Sequence, residues 1–248
     1  MNKLAVIILA AGKGTRMKSD LPKVLHRLAD KPLVQHVIDT VQTLNPAEIV
    51  LVVGHRAELV RETIGDGVRY ALQAEQLGTG HAVAQAADAL KSHRGDVLIL
   101  YGDMPLLTAE TLEKLVAAQT ENPSPLTMLT VIADNPRGFG RIVRDNAGNV
   151  IAIVEEADCT PEQLAINELN TGVYCIRADW LWDTLPKITI SAKGEYYLTD
   201  LVALAVAEGH TIRALTTDNL VETMGINTLE HLAEAENQLK MKVEQNAD

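Results

Sequence analysis

Between residues 9 and 23 the chain sets small residues, glycines and cations in an order that suits an anion. Leu9-Ala10-Ala11-Gly12-Lys13-Gly14-Thr15-Arg16-Met17 follows directly on the apolar run Leu4–Leu9. Two glycines let the backbone turn tightly and approach a ligand closely. Successive N–H groups in such a turn form a nest for negative charge. Arg16 stands four residues after Gly12, and Pro22 stiffens the chain just before Lys23. Two fixed cations beside an amide nest suit a triphosphate. A plain tight turn is the competing reading, and the glycines alone do not decide between them. Two common phosphate-loop patterns fail. A dinucleotide fingerprint needs a third glycine where Met17 stands, and no G-x-x-x-x-G-K-[ST] run occurs.

A carboxylate is the second candidate group. Asp103 closes Tyr101-Gly102-Asp103 at the end of the apolar run Val97–Tyr101. In a parallel sheet the carboxyl ends of the strands line the ligand crevice. Mg²⁺ prefers one or two carboxylate oxygens together with phosphate oxygens and water. Asp103 could equally be a loop or helix-capping aspartate. His26, His36 and His81 show no metal-ligand spacing and read as structural or surface residues. Cys159 and Cys175 are too few for a disulfide framework and read as free thiols of a reducing compartment.

These groups need a rigid frame, and the hydrophobic pattern predicts one. Short apolar runs at 4–9, 49–53, 97–101 and 126–132 read as buried strands, with a weaker strand at 68–72 and a final strand at 211–215. Helical spacing falls at 32–44, 57–64, 81–90, 109–119, 178–185, 198–208 and 228–246, with Thr108 as an N-cap. Alternation of this kind predicts an α/β fold with a mixed, mostly parallel central sheet. Runs at 141–144 and 150–154 flank Asn146-Ala147-Gly148-Asn149 and predict a small inserted antiparallel hairpin, followed by a strand at 171–176. The expected organisation is one domain over 1–227 and a C-terminal helix over 228–248.

Composition narrows the partners. The 248 residues are 47% apolar, ample for a core, and carry a net charge of −11. A globally acidic chain is a poor binder of nucleic acid or anionic membrane. Residues 1–31 depart from that average. They hold Lys3, Lys13, Arg16, Lys18, Lys23, Arg27 and Lys31 against Asp20 and Asp30, a local charge of +5. No apolar stretch nears the ~20 residues of a membrane span. The start has no small-residue cleavage site, so a cytoplasmic location is expected.

Taken in order, the motifs resemble those of the sugar-1-phosphate nucleotidyltransferases. They are L-A-A-G-x-G-T-R-M with Leu21-Pro22-Lys23, Gln73 to His81 (QAEQLGTGH), Tyr101-Gly102-Asp103 and Gly138-Phe139-Gly140-Arg141. Asn170-Thr171-Gly172, Gly194 to Asp200 (GEYYLTD) and Gly225-Ile226-Asn227 complete the set. Within the family the resemblance is closest to the N-terminal uridyltransferase domain of bacterial bifunctional N-acetylglucosamine-1-phosphate uridyltransferases/acetyltransferases, and it runs through nearly the whole chain.

That resemblance implies a Rossmann-like nucleotidyltransferase fold and transfer of UMP from UTP to N-acetylglucosamine 1-phosphate, with Mg²⁺. It implies catalytic roles for Arg16 and Lys23. Leu9, Ala10, Ala11, Gly12, Lys13, Gly14, Gln73, Gly78 and Thr79 would bind the nucleotide. Tyr101, Gly102, Gly140, Glu155, Asn170 and Thr171 would bind the sugar, with a one-residue register ambiguity between Glu155 and Glu156. Asp103 and Asn227 would hold the metal. Segment 156–168 reads as a mobile lid, and Tyr197 and Thr199 as pocket wall. The hexapeptide repeats of the bifunctional relatives have no counterpart here, so acetyltransferase activity is not expected. A free-standing uridyltransferase and a piece of a longer protein remain open. So do glucose 1-phosphate or dTTP as substrates, a non-catalytic regulatory role, and the oligomeric state.

Overall fold

The computed structural model describes residues 4–245. Lys3 of the cationic segment and the end of the predicted C-terminal helix lie outside the described residues. In chain order the first elements are β1 (Ala5–Ala10), a two-residue hairpin β2 (Arg27–Leu28) and β3 (Lys31–Pro32), α1 (Leu33–Gln42), β4 (Glu48–Val53), α2 (Ala57–Ile64) and β5 (Arg69–Leu72). Then follow α3 (Thr79–Ala84), α4 (Ala87–Leu90), β6 (Asp96–Tyr101), α5 (Ala109–Thr120) and β7 (Leu126–Ile132). The last are β8 (Arg141–Arg144), β9 (Val150–Val154), α6 (Pro161–Leu164), β10 (Glu168–Arg177), α7 (Ala178–Thr184), α8 (Asp200–Ala207), β11 (Arg213–Thr217) and α9 (Leu229–Gln245).

The sheet runs in the order β11-β7-β10-β6-β1-β4-β5, with β8 and β9 attached beside β10. β1 pairs in parallel with both β4 and β6, and β4 with β5. β10 is antiparallel to both β6 and β7, while β11 is parallel to β7. Along this path, then, β10 alone runs against the others. The chain steps outward from β1 through β4 and β5, then returns to the other side of β1 as β6. The space beyond β1 and β6 is therefore a topological switch point, where open α/β sheets bind ligands.

Strand periodicity explains why β1 is central. Ala5, Ile7 and Leu9 face a layer containing Val83, Leu90, Leu181 and Leu201. Val6, Ile8 and Ala10 face Val34, Val37, Ile38, Leu112 and Leu115. Helices α3, α4, α7 and α8 thus cover one face, and α1, α2 and α5 the other. Each fully buried Val, Leu or Ile contributes roughly 1.5–3 kcal/mol, so a strand apolar on both faces belongs in the middle.

Several boundaries differ from the sequence reading. The helix expected over 81–90 is two pieces, because the His81 carbonyl accepts from the Gln85 side chain at 3.0 Å and the chain tightens there into i→i+3 bonds. β10 begins at Glu168 rather than Thr171, with a bulge between Asn170 and Tyr174 that interrupts the apolar run. The last strand lies two residues later than expected. The predicted hairpin is present as β8–β9. Segment 156–168 contains a short turn and α6, whose capping box pairs Thr160 with Gln163. α9 packs Leu232, Ala235 and Leu239 against Leu28, Leu33, Leu106 and Ile226.

Candidate active site

β1 and β6 end side by side, and the Gly102 N–H donates to the Leu9 carbonyl at 2.9 Å. Beyond Ala11 the chain forms two one-turn helices, Thr15–Met17 and Lys23–Leu25. Buried Met17 anchors the first, and buried Val24 and Leu25 anchor the second. Gly14 joins them closely. Its φ is +61°, and a Cβ there would stand 2.5 Å from the Lys23 Cβ.

Four side chains meet just outside the strand ends. The Lys23 ammonium pairs with Asp103 Oδ2 and donates to Asn227 Oδ1 at 2.8 Å. Arg16 donates to the same Asn227 oxygen at 2.9 Å. Backbone ties hold Asn227 in place. The Ile226 N–H donates to the Asp103 carbonyl at 2.8 Å, and the Ile226 side chain is buried beneath α9. Just upstream, the buried Glu222 accepts from the Thr108 N–H at 3.2 Å and from the Thr108 and Thr217 hydroxyls at 2.7 and 3.2 Å.

The donor set fits Mg²⁺. Asp103 Oδ2 and Asn227 Oδ1 already converge on one positive centre, and both are hard oxygens. Mg²⁺ completes such a pair with phosphate oxygens and water. No group of three or more His, Cys, Asp or Glu that could hold a metal occurs among the described residues.

Two adjoining cavities open on this cluster. The first, about 500 Å³, is lined by Leu9, Ala10, Ala11, Gly12, Gln73, Gly78 and Thr79. Gln73 is only 3% exposed, and its amide nitrogen donates to the Gly78 carbonyl at 3.0 Å. Gly78 has φ +102°, and a Cβ there would lie 2.6 Å from the Tyr196 carbonyl oxygen. The Thr79 hydroxyl accepts from the Leu198 N–H at 3.0 Å. The 194–200 motif therefore clamps the 73–79 motif.

The second cavity, about 270 Å³, is lined by Gly140, Glu155, Asn170, Thr171 and Asn227. Arg16, Lys23, Tyr101, Asp103 and Glu155 border both cavities. Glu155 accepts from the Thr199 hydroxyl at 3.1 Å, and burial raises its carboxyl above the ordinary range. Burial also raises the Tyr101 hydroxyl, reinforced by the charges of Glu155 and Asp103, so it stays a donor. The Asn170 oxygen accepts from the Gly172 N–H at 3.1 Å and the Tyr174 hydroxyl at 2.9 Å. That leaves its NH₂ for a ligand. The Thr171 hydroxyl is spent on the Leu129 carbonyl at 2.8 Å.

Lys13, Gly14 and Gly102 line neither cavity. Lys13 is exposed, Gly14 makes room for Lys23, and Gly102 packs against Ala10, Val24 and Val34. Tyr197, expected as pocket wall, lines the first cavity; sequence reasoning passed over Gln76 and Glu195 there and Phe139 and Met104 at the second. Most stand inside the quoted motifs, and membership of a motif was the only signal for them.

Residues 6–164 match the sequence profile of the MobA-like NTP transferase domain. The chain belongs to this family. Among curated proteins it is 48% identical over 243 residues to the "Bifunctional protein GlmU" of Exiguobacterium sibiricum. It is 50% identical over 240 residues to that of Dechloromonas aromatica and 47% identical over 244 residues to that of Latilactobacillus sakei. These alignments cover 96–98% of this chain and 52–54% of the relatives, so the chain spans about half their length. The MobA-like NTP transferase match itself runs from β1 to α6. It takes in Arg16, Lys23, Gln73, Asp103 and Glu155 but stops before Asn170, Thr171 and Asn227. No helix among the described residues is long and apolar enough to cross a membrane.

Proposed function

We propose that this chain transfers UMP from UTP to N-acetylglucosamine 1-phosphate, giving UDP-N-acetylglucosamine and pyrophosphate. The observation that carries this reading is the meeting of Arg16, Lys23, Asp103 and Asn227 where two cavities join. Attack of a sugar phosphate oxygen on the α-phosphorus brings two anions together, so the protein's task is positioning and charge neutralisation. The larger cavity takes the nucleotide and the smaller one the sugar. Gly12 and Arg16 meet the β- and γ-phosphates, with the exposed Lys13 extending the field. Lys23 meets the α-phosphate as charge moves onto the departing pyrophosphate. Asp103 and Asn227 would hold Mg²⁺, which screens the two phosphate groups from each other. Glu155 and the Asn170 NH₂ are the acceptor and donor for sugar hydroxyl and acetamido groups. The catalytic unit is 1–227, with the last helix as its support.

Pyrophosphate release tests this directly. UTP or dTTP is offered with N-acetylglucosamine 1-phosphate, glucosamine 1-phosphate or glucose 1-phosphate, with and without Mg²⁺. UTP with N-acetylglucosamine 1-phosphate and Mg²⁺ should be the fastest combination. No pyrophosphate from it would overturn the reading.

A further inference from the structure

The two ring nitrogens of His81 each face a glutamine amide. Nδ1 lies 3.1 Å from the Gln73 amide nitrogen, and Nε2 lies 3.1 Å from that of Gln85. A neutral imidazole accepts at one nitrogen and donates at the other, so it cannot accept from both amides. Burial and the backbone decide which contact holds. The Gln73 NH₂ is fixed by donation to the Gly78 carbonyl at 3.0 Å, where an oxygen in its place would face another oxygen. Gln85 likewise donates to a carbonyl, that of His81 at 3.0 Å, but it is half-buried, so water can replace that bond when its amide turns, whereas Gln73 is buried and has no such exchange. Nδ1 is therefore the acceptor, and the proton resides on Nε2.

Both Gln73 hydrogens are then committed to protein, one to Gly78 and one to His81. The Gln73 Oε1 takes no hydrogen bond among the described residues, and it is not among the fully enclosed unpaired atoms. It is the polar group Gln73 offers to the nucleotide cavity. An acceptor there pairs with the imide N–H of a uracil-type base. It opposes the bare ring nitrogen that cytosine shows at the same place.

We propose that His81 is a specificity-determining positioning residue: by accepting from Gln73 it locks the carboxamide with its oxygen toward the base, and so selects an imide-bearing pyrimidine over cytosine. The inference rests on the uridylyl-transfer reading. It assigns His81 a part that its spacing in the sequence does not reveal.

Kinetics with UTP and CTP test it. In His81→Leu the carboxamide is free to turn, and the preference in kcat/KM for UTP over CTP should fall by roughly tenfold or more. The change should fall on the nucleotide KM and leave the KM for sugar phosphate alone. In His81→Asn an amide oxygen can stand where Nδ1 stood, and the preference should be retained. A His81→Leu preference within about twofold of wild type would overturn the proposal. Nitrogen-15 NMR of the wild-type protein is independent of any variant's folding. It should report His81 as the Nε2–H tautomer, and an Nδ1–H tautomer would overturn the lock. Absence of UTP turnover by the wild type would instead overturn the uridylyl reading, and the selectivity claim with it.

Discussion

Gly14 and Lys23 are in backbone-to-side-chain contact so close that no β-carbon fits between them. The glycine is therefore part of how the lysine is aimed. Gly14→Ala should lower kcat by about tenfold or more, because a misplacement near 1 Å is costly in an assembled site. Lys23→Ala should also lose at least about tenfold in kcat at saturating substrate, since it removes the charge itself. Steady-state rates beside circular dichroism check both. Wild-type turnover in folded Gly14→Ala would mean that Lys23 does not depend on it.

Asp103 and Asn227 share the Lys23 ammonium but differ in charge. Asp103→Asn should raise the Mg²⁺ concentration for half-maximal rate by about 10- to 100-fold, and Asn227→Ala by less. Chelation should abolish pyrophosphate release, and added Mg²⁺ should restore it. Rates measured across a Mg²⁺ titration give the answer. Identical Mg²⁺ curves for wild type and Asp103→Asn would remove Asp103 from the metal site.

Glu155 is held against its own solvation. Burial raises its carboxyl, the charges of Asp158, Asp200 and Glu195 add to this, and the Thr199 hydroxyl opposes it. The folded state thus binds this proton more tightly than the unfolded chain does. The folding penalty is absent below the unfolded pKa, grows as pH rises toward the raised folded value, and is full above it. Glu155→Gln should therefore raise Tm by a few degrees at neutral pH, with the gain shrinking on acidification. Its KM for sugar phosphate should rise at the same time. Thermal melts from pH 4 to 8 test the sign, and a gain that grows toward low pH would contradict it.

Gly172 sits in the β10 bulge with φ +79°, and an added Cβ would run into the Tyr101 ring. Gly172→Ala should destabilise the fold by about 2–4 kcal/mol, from backbone strain and overpacking together. Adding Tyr101→Ala relieves only the second part, so the double variant should be less unstable than the two losses summed. Urea unfolding of the four proteins measures the coupling. Strict additivity would show that ring and glycine do not press on each other.

The periodicity of β1, β4 and β6 was readable because strands buried on both faces must be apolar throughout. The β8–β9 hairpin was readable from its turn residues. The reversal of β10 was not, since an apolar strand looks the same in either direction. Its first residues also escaped, because Glu168, Asn170 and Gly172 break the apolar run at the bulge. At the site, Lys23 and Asp103 could each be nominated, yet their pairing spans 80 residues and needed the sheet to exist. His81 carried no spacing signal at all. Its neighbour Gln73 becomes adjacent only when the strand-end loop folds back on α3.

The reversed strand has a consequence for how such a protein can change. β1, β5 and β6 present their last residues to the ligands, whereas β10 presents its first ones at the same edge. The cationic loop and the residues proposed to face the sugar thus stand on separate stretches of chain. On the proposed reading, substitutions on β8 to β10 should retune the acceptor sugar while the cationic loop stays as it is. A library confined to residues 138–172 is accordingly the economical route to new nucleotide sugars.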